Sequence, residues 1–147
     1  MEYNCSNFLI EVEVPGTEVI ISRTDLKGNI TFANDMFAYI SGYSIEELIG
    51  KPHNILRHPD MPKVIFKQMW ESLENNQKWE GLVKNLRKDH SFYWVYAQVS
   101  GVYKDGKLVE YKSIRTPITC MQKKEIQAKY DQIKIDTGDT IRTISYN

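Results

Sequence analysis

The sequence predicts an α+β domain in which a five-stranded antiparallel sheet carries its helices on one face. Three observations lead there. A hairpin pattern opens the fold, three strand-like runs close it, and short capped helix patterns, a proline-rich loop and one longer amphipathic helix lie between them. At 147 residues, 41% hydrophobic and 26% charged, the chain is one ordinary domain large enough to bury a core. We divide it into a cap or leader over 1–18, the main domain over 19–119, and a C-terminal helix with a polar tail over 120–147.

The leader holds an apolar alternation from Phe8 to Val14 and then Pro15-Gly16. Val19-Ile20-Ile21-Ser22-Arg23-Thr24, the turn residues Asp25-Leu26-Lys27-Gly28-Asn29, and Ile30-Thr31-Phe32-Ala33 form the hairpin signal. Asn34 can cap a short helix bearing Met36, Phe37, Tyr39 and Ile40, which Gly42 would end. Ser44 stands three residues before Glu47 as a capping box, with Gly50 as the stop. Helices of one or two turns do not persist alone and must be held by packing.

Between Gly50 and Pro62 the chain places three prolines, two histidines, an arginine and an aspartate around only two strongly apolar residues, Ile55 and Leu56. Proline fixes φ and discourages helix in the residue before it, so this reads as a restrained loop, either a binding segment or a stiff connector. Pro62 then falls in the first turn of a helix whose Ile65, Phe66, Met69, Trp70 and Leu73 repeat at helical spacing. Asn75-Asn76 closes it.

Residues 78–87 alternate as a strand, Lys88-Asp89-His90 turns, residues 91–103 form a long aromatic strand, and Asp105-Gly106 turns into 108–116. Side chains two apart share a face. Trp79, Gly81, Val83 and Asn85 therefore lie together, and if theirs is the inner face Asn85 puts an amide into an apolar cavity where it must find partners. Either a heterocycle with an imide edge or a neighbouring backbone or water would satisfy it. On the next strand Phe92, Trp94 and Tyr96 share the opposite face from Tyr93, Val95 and Ala97. That outer stripe needs either intramolecular cover or contact with another protein. The segment 121–134 is helix-prone, with Ile126, Tyr130 and Ile133 spaced to meet a partner.

Composition excludes several classes. Lys and Arg number 19 against 19 Asp and Glu, so bulk charge does not call for nucleic acid or an anionic membrane. No apolar run approaches the roughly 18 residues of a membrane span, and direct membrane insertion is not expected. Cys5 and Cys120 show no CxxC or metal-ligand spacing, which fits a reducing, cytoplasmic setting better than a disulfide framework. No nucleophile–base pair or paired carboxylate marks an enzyme.

The hairpin residues 24–34, with Ser41-Gly42-Tyr43 and Glu46-Glu47-Leu48-Ile49-Gly50, resemble a PAS sensor domain. The run Pro52-His53-Asn54-Ile55-Leu56-Arg57-His58-Pro59-Asp60-Met61-Pro62 is more specific. With Phe66, Met69-Trp70, Trp79, Gly81, Val83-Lys84-Asn85 and Tyr93-Trp94-Val95, it resembles PAS domains of the aerotaxis-receptor type over 19–119. That resemblance implies a non-covalently bound FAD and a role in reporting redox or energy state to a chemotaxis transducer. Arg57, His58 and Asp60 match residues associated with FAD binding, and Trp79 and Asn85 match pocket positions. Asn34, His53, Trp70, Tyr93 and Tyr111 complete the implied cofactor set. The chemistry is consistent: Arg57 can pair with a pyrophosphate, Trp70 or Trp79 can pack on a flavin ring, and Asn85 or His53 can sense changes at its edge. Asp60 is equally a candidate N-cap for the helix after Pro62.

Haem is the other reading, with His53 and His58 as candidate axial ligands; a cofactor-free interaction module is the third. Flavin photochemistry that depends on a cysteine beside the ring is not expected, since the corresponding position is His53. Two departures from the family pattern stand out: His90 where a turn glycine is common, and Leu86 where a basic residue is usual. No membrane anchor or HAMP-like segment is expected within these 147 residues. The resemblance is therefore to the PAS-only part of a split energy-taxis receptor, whose partner would be a membrane-bound transducer with a HAMP-type signalling region, and a homodimer is compatible. The protein would meet the inner membrane only through that partner.

Overall fold

The two ends of the chain's strand pattern meet in the middle of the sheet. In the computed structural model, which describes residues 11–139, the strands are β1 (Ile20–Thr24), β2 (Ile30–Ala33), β3 (Trp79–Leu86), β4 (Phe92–Lys104) and β5 (Lys107–Thr116). Their order is β2-β1-β5-β4-β3, and every neighbouring pair is antiparallel. The first strand thus lies against the last, with Ser22 opposite Ser113 and Ile20 opposite Arg115. The expected five-stranded α+β sheet is present. Phe8, at the start of the leader's alternation, and the polar tail after residue 139 lie outside the described residues.

Local chemistry sets each connection. The Asp25 carboxylate accepts the backbone N–H of Lys27 and of Asn29, each at 2.9 Å, and closes the β1–β2 turn around Gly28 at φ +90°. Helix α1 (Asp35–Ser41) begins on Asn34 and stops at Gly42, φ +79°. Helix α2 (Ile45–Leu48) carries the full Ser44–Glu47 capping box. A 3-10 turn spans His53–Leu56, and α3 (Lys63–Glu74) follows with Pro62 at its cap and no side-chain cap bond. At the β3–β4 turn His90 sits at φ +72°, the left-handed region that the usual glycine would occupy without steric cost.

The inner face buries Ile20, Ile30, Phe37, Ile40, Leu48, Leu56 and Val95 between the sheet and α1 to α3. The outer face is covered as well, which the one-faced expectation did not include. Helix α4 (Cys120–Thr137), capped by a Thr119–Gln122 box, does not project toward a partner. It lies back on the sheet, where Tyr130 stacks on Trp94 at 6.3 Å between ring centroids and its hydroxyl donates to the Leu82 carbonyl. Lys84 Nζ stands 4.5 Å from the Phe92 ring centroid. On the other side of Phe92, Val12 N–H donates to its carbonyl at 2.8 Å.

Phe92 and Trp94 are therefore buried within the chain, because α4 and residues 11–14 supply the apolar cover their stripe requires. Of the two readings of this stripe, intramolecular cover holds for Phe92 and Trp94, and the alternative of a partner surface does not. Tyr96 alone stays half-buried, its hydroxyl donating to Glu80. A second correction concerns sulfur: Cys120, opening α4, is not a free thiol, and the other cysteine, Cys5, lies outside the described residues.

This packing gives a stability ranking. Trp94→Ala should lower the unfolding free energy by about 3–5 kcal/mol through cavity formation, and Tyr130→Phe by about 1 kcal/mol through the lost hydrogen bond. Tyr96→Ala should cost less than about 1 kcal/mol. Urea denaturation of the three variants checks the order; a Tyr96→Ala loss as large as that of Trp94→Ala would contradict the assignment of cover.

Candidate functional site

A cavity of about 300 Å³ lies between the inner face of the sheet and the segment from the 3-10 turn through α3. This is within the range of small-molecule pockets. Strand alternation supplies its floor: Trp79, Val83 and Asn85 from β3, Ala97 and Val99 from β4, Ser113 and Arg115 from β5. Phe66, Met69 and Trp70 come from one face of α3, while His53, Asn54 and Arg57 come from the loop. Lys27 and Gly28 of the first turn complete the rim.

Two arrangements shape the walls. Gly81 leaves the space into which the Trp79 ring turns; a Cβ there would fall 2.5 Å from Trp79 Cη2. The indole can therefore lie along its own strand, two residues on. Arg57 is clipped to the cavity edge by an antiparallel bridge between its backbone and that of Asn85, and its guanidinium stacks 3.8 Å above the Phe66 ring centroid.

The electrostatic centre is Arg115, 2% exposed. Its Nη2 donates to Ser22 Oγ at 2.7 Å and its Nη1 approaches His53 Nε2 at 3.3 Å, while Ser22 Oγ and His53 Nε2 are 3.1 Å apart. Phe37 lies 4.4 Å beneath the guanidinium and stacks on His53 at 5.6 Å. Among the described residues no carboxylate pairs with Arg115, and its Nε has no hydrogen-bond partner.

Arginine only donates, so Ser22 Oγ accepts from it and turns its own proton toward His53 Nε2. That nitrogen is then an acceptor from both groups, and the imidazole proton belongs on Nδ1. Burial, reinforced by the charges of Arg115 and Arg57, holds His53 down at about 3. Burial also brings Arg115 down to about 10, so it remains a cation at neutral pH.

Of the residues named from sequence, His53, Arg57, Trp70, Trp79 and Asn85 meet at this cavity. The others stand elsewhere. Asn34 is occupied by the backbone: its side-chain oxygen accepts from Ile21 N–H at 3.1 Å and Phe37 N–H at 3.0 Å, and its amide donates to the Val19 carbonyl at 2.9 Å. Tyr111 meets Trp70 edge-on at 5.5 Å and so braces a wall residue. Tyr93 is fully buried opposite Asn85 on the neighbouring strand, and its pKa is raised by that burial, with Arg115 and the Asn85 side chain working against the rise.

His58 lines a second, larger pocket of about 610 Å³ beside Arg57, Lys63 and Lys134. Its Nδ1 accepts from Asp60 N–H at 3.0 Å, its ring meets Phe92 edge-on at 5.8 Å, and burial with the nearby Lys84 charge brings it down to about 4. Asp60 is not the N-cap of α3. Burial would raise its carboxyl, but Lys134 and Lys84 hold it below the usual range, and these lysines are what draw it away from the helix end. Sequence reasoning did not find Arg115 or Ser22; the available signal was that Ser113 and Arg115 share one face of β5, with the arginine on the stride that turns inward.

Comparison with known proteins now has a site to bear on. A sequence profile described as the PAS fold matches residues 30–115. The chain belongs to the PAS family. Over 100 residues it is 49% identical to the aerotaxis receptor of Escherichia coli, a match covering 68% of this chain and 20% of that protein. The nitrogen fixation regulatory protein of Klebsiella pneumoniae is 32% identical over 107 residues, 72% of this chain and 22% of the relative. This PAS chain thus spans about a fifth of either relative.

Among solved structures, the PAS domain of a Colwellia psychrerythraea protein aligns with TM-score 0.63 and 31% identity, covering 69% of this chain and 86% of that one. A light-oxygen-voltage domain studied with a flavin analogue aligns with TM-score 0.69 at 18% identity, covering 78% and 88%. At that identity the likeness speaks for the fold.

The depressed histidines carry a signed pH prediction. Below about pH 6.5 the unfolded chain takes up protons on His53 and His58, whereas the folded protein does not until about 3 and about 4. Unfolding free energy should therefore fall as pH drops from 6.5 toward 4, by up to about 1.4 kcal/mol per pH unit for each histidine. Urea unfolding at pH 7, 6 and 5 tests it: His58→Gln should show a shallower decline than wild type, and equal slopes would remove His58 from the account.

Proposed function

We propose that this PAS domain binds FAD in the cavity and reports cellular redox state, by protein contact, to a membrane-bound chemotaxis transducer. The observation that carries the reading is the form of the cavity: aromatic and aliphatic faces from Trp79, Phe66, Trp70 and Val83, with a polar edge of Asn85 and a cation, Arg115, that has no carboxylate partner among the described residues. A flat heterocycle with hydrogen-bonding groups along one edge suits those surfaces. FAD is the cofactor implied by resemblance to the aerotaxis-receptor type, and the names aerotaxis receptor and nitrogen fixation regulatory protein among the relatives support a sensing role.

The residues fit the group. Trp79 and Phe66 would bound the ring faces, Asn85 would supply both a donor and an acceptor at the edge, and Arg57 at the rim would meet phosphate. Bound flavin supplies reversible electron transfer at modest potentials. The protein's own part is electrostatic. Arg115 favours any increase of negative charge in the cavity, and His53, with its Nε2 already accepting two donors, resists taking a proton there. Of the two residues read from sequence as redox-sensing candidates, Asn85 is kept and joined by Arg115, while His53 drops out because a histidine held at about 3 does not change charge near neutrality. No helix of the described residues is long and apolar enough to cross a membrane, so membrane proximity would come through the transducer.

The haem reading is less well supported. His58 does not line the cavity and His53 presents no uncommitted Nε2 to it. Cysteine photochemistry is not supported either, since among the described residues no cysteine lines the cavity.

The absorption spectrum of the purified protein decides among these. We expect flavin bands that dithionite bleaches, FAD released on denaturation, and a lower bound fraction in Trp79→Ala. A Soret band, or a colourless protein that takes up no added FAD, would overturn the proposal.

A further inference from the structure

The outer-face helix is attached in an unusual way. Two of the three buried residues of α4 are lysines, Lys123 and Lys134, the latter 1% exposed, and Tyr130 is the third. Each lysine ends on carboxylates from distant parts of the chain: Lys123 on Glu11 and Glu13, Lys134 on Asp60, with Asp131 of its own helix at 3.1 Å. Asp60 divides its two oxygens. Oδ1 takes Lys134; Oδ2 takes Lys84 at 3.3 Å and Gln127 at 3.2 Å. One carboxylate therefore joins the loop, β3 and α4.

That loop is also the cavity wall. Asp60 lies three residues after Arg57, whose backbone bridges to Asn85. On β3, Lys84 and Asn85 are neighbours with opposite aim: Asn85 faces the cavity, and Lys84 faces Asp60 and α4. Just beyond α4, Asp139 accepts the N–H of Lys63, the first residue of α3, at 3.0 Å. Movement of the loop or of this part of β3 thus reaches α4 through two routes.

We propose that Asp60 is a positioning residue, the latch by which the cavity loop holds α4 on the sheet, so that what fills the cavity sets how firmly α4 is docked. Its importance then comes from joining elements and not from touching a cofactor. A buried ion pair adds little net stability, yet removing one partner leaves an uncompensated buried charge and is strongly destabilising. Such an attachment is close to all-or-none, whereas an apolar seam would loosen gradually. Release of α4 would uncover Trp94 and Phe92, making the aromatic stripe accessible only in the undocked state.

The proposal rests on the ligand reading only for its trigger, so its mechanics are tested without ligand. Amide hydrogen exchange on the full chain, stripped of any cofactor, should show exchange in α4 rising at least about tenfold in both Asp60→Asn and Lys134→Met, with the β4–β5 ladder still protected. The decisive readout is remote: Lys134→Met should also speed exchange in residues 53–61 by a similar factor. If α4 loosens while that loop exchanges as in wild type, the latch is wrong. Should Lys134→Met fail to fold, Gln127→Leu keeps both charges and removes the amide's hydrogen bonds to Asp60, Lys84 and Asp131; a rise of about threefold in both segments supports the latch, and a rise in α4 alone overturns it. A colourless protein that shows the coupling would refute the flavin reading and leave the latch standing; a yellow one without it would do the reverse.

Discussion

A guanidinium buried on the floor of a cavity, with no carboxylate partner among the described residues, is the constraint around which the inner half of this domain is arranged. Taking such a cation out of water costs several kcal/mol, and Arg115 recovers part of that from Ser22 Oγ, His53 Nε2 and the Phe37 face. Each helper is fixed in turn. Phe37 sits in α1, whose start Asn34 ties to the backbone of β1. His53 opens the 3-10 turn, with its N–H on the Gly28 carbonyl at 2.9 Å. The first turn, the first helix and the loop are therefore tied to one charge on the last strand.

Topology makes this convergence available. Because β1 lies against β5, Ser22 stands opposite Ser113 and within reach of Arg115, although 93 residues separate them along the chain. The same sheet separates two environments only one residue apart on β3. Asn85 belongs to the cavity, and Lys84 belongs to a buried ionic cluster under α4. A sheet whose two faces are both covered, one by an apolar ring-shaped space and the other by a helix held through charges, is suited to passing a change from one side to the other.

How much of this was legible before coordinates follows from the range of each interaction. The hairpin, the Asn34 and Ser44 caps and the shared face of Trp79, Val83 and Asn85 depend on residues within a few positions of one another, and the sequence displays them. The restrained loop was legible as a loop because its prolines act locally. The cap reading of Asp60 failed for the opposite reason: a carboxylate just before Pro62 looks like a helix cap, while the lysines that claim it lie 24 and 74 residues away. Arg115 was missed because an arginine on a strand is ordinarily read as facing water, and only the register of β5 against β1 turns it inward. The cover over Phe92 and Trp94 was undecidable for a similar reason, since α4 carries two buried lysines and so lacks the apolar stripe that marks a packed helix.

On the proposed function, Arg115 is kept for a ligand at the expense of the ligand-free fold. Its most direct test pairs two measurements on Arg115→Met, which keeps the bulk over Phe37 and leaves Ser22 to satisfy His53. The account predicts that the ligand-free variant unfolds at higher urea, with a gain of about 1 kcal/mol or more, while its affinity for FAD falls at least about tenfold. A less stable variant that binds FAD as tightly as wild type would show the guanidinium to be a structural fixture and contradict the account.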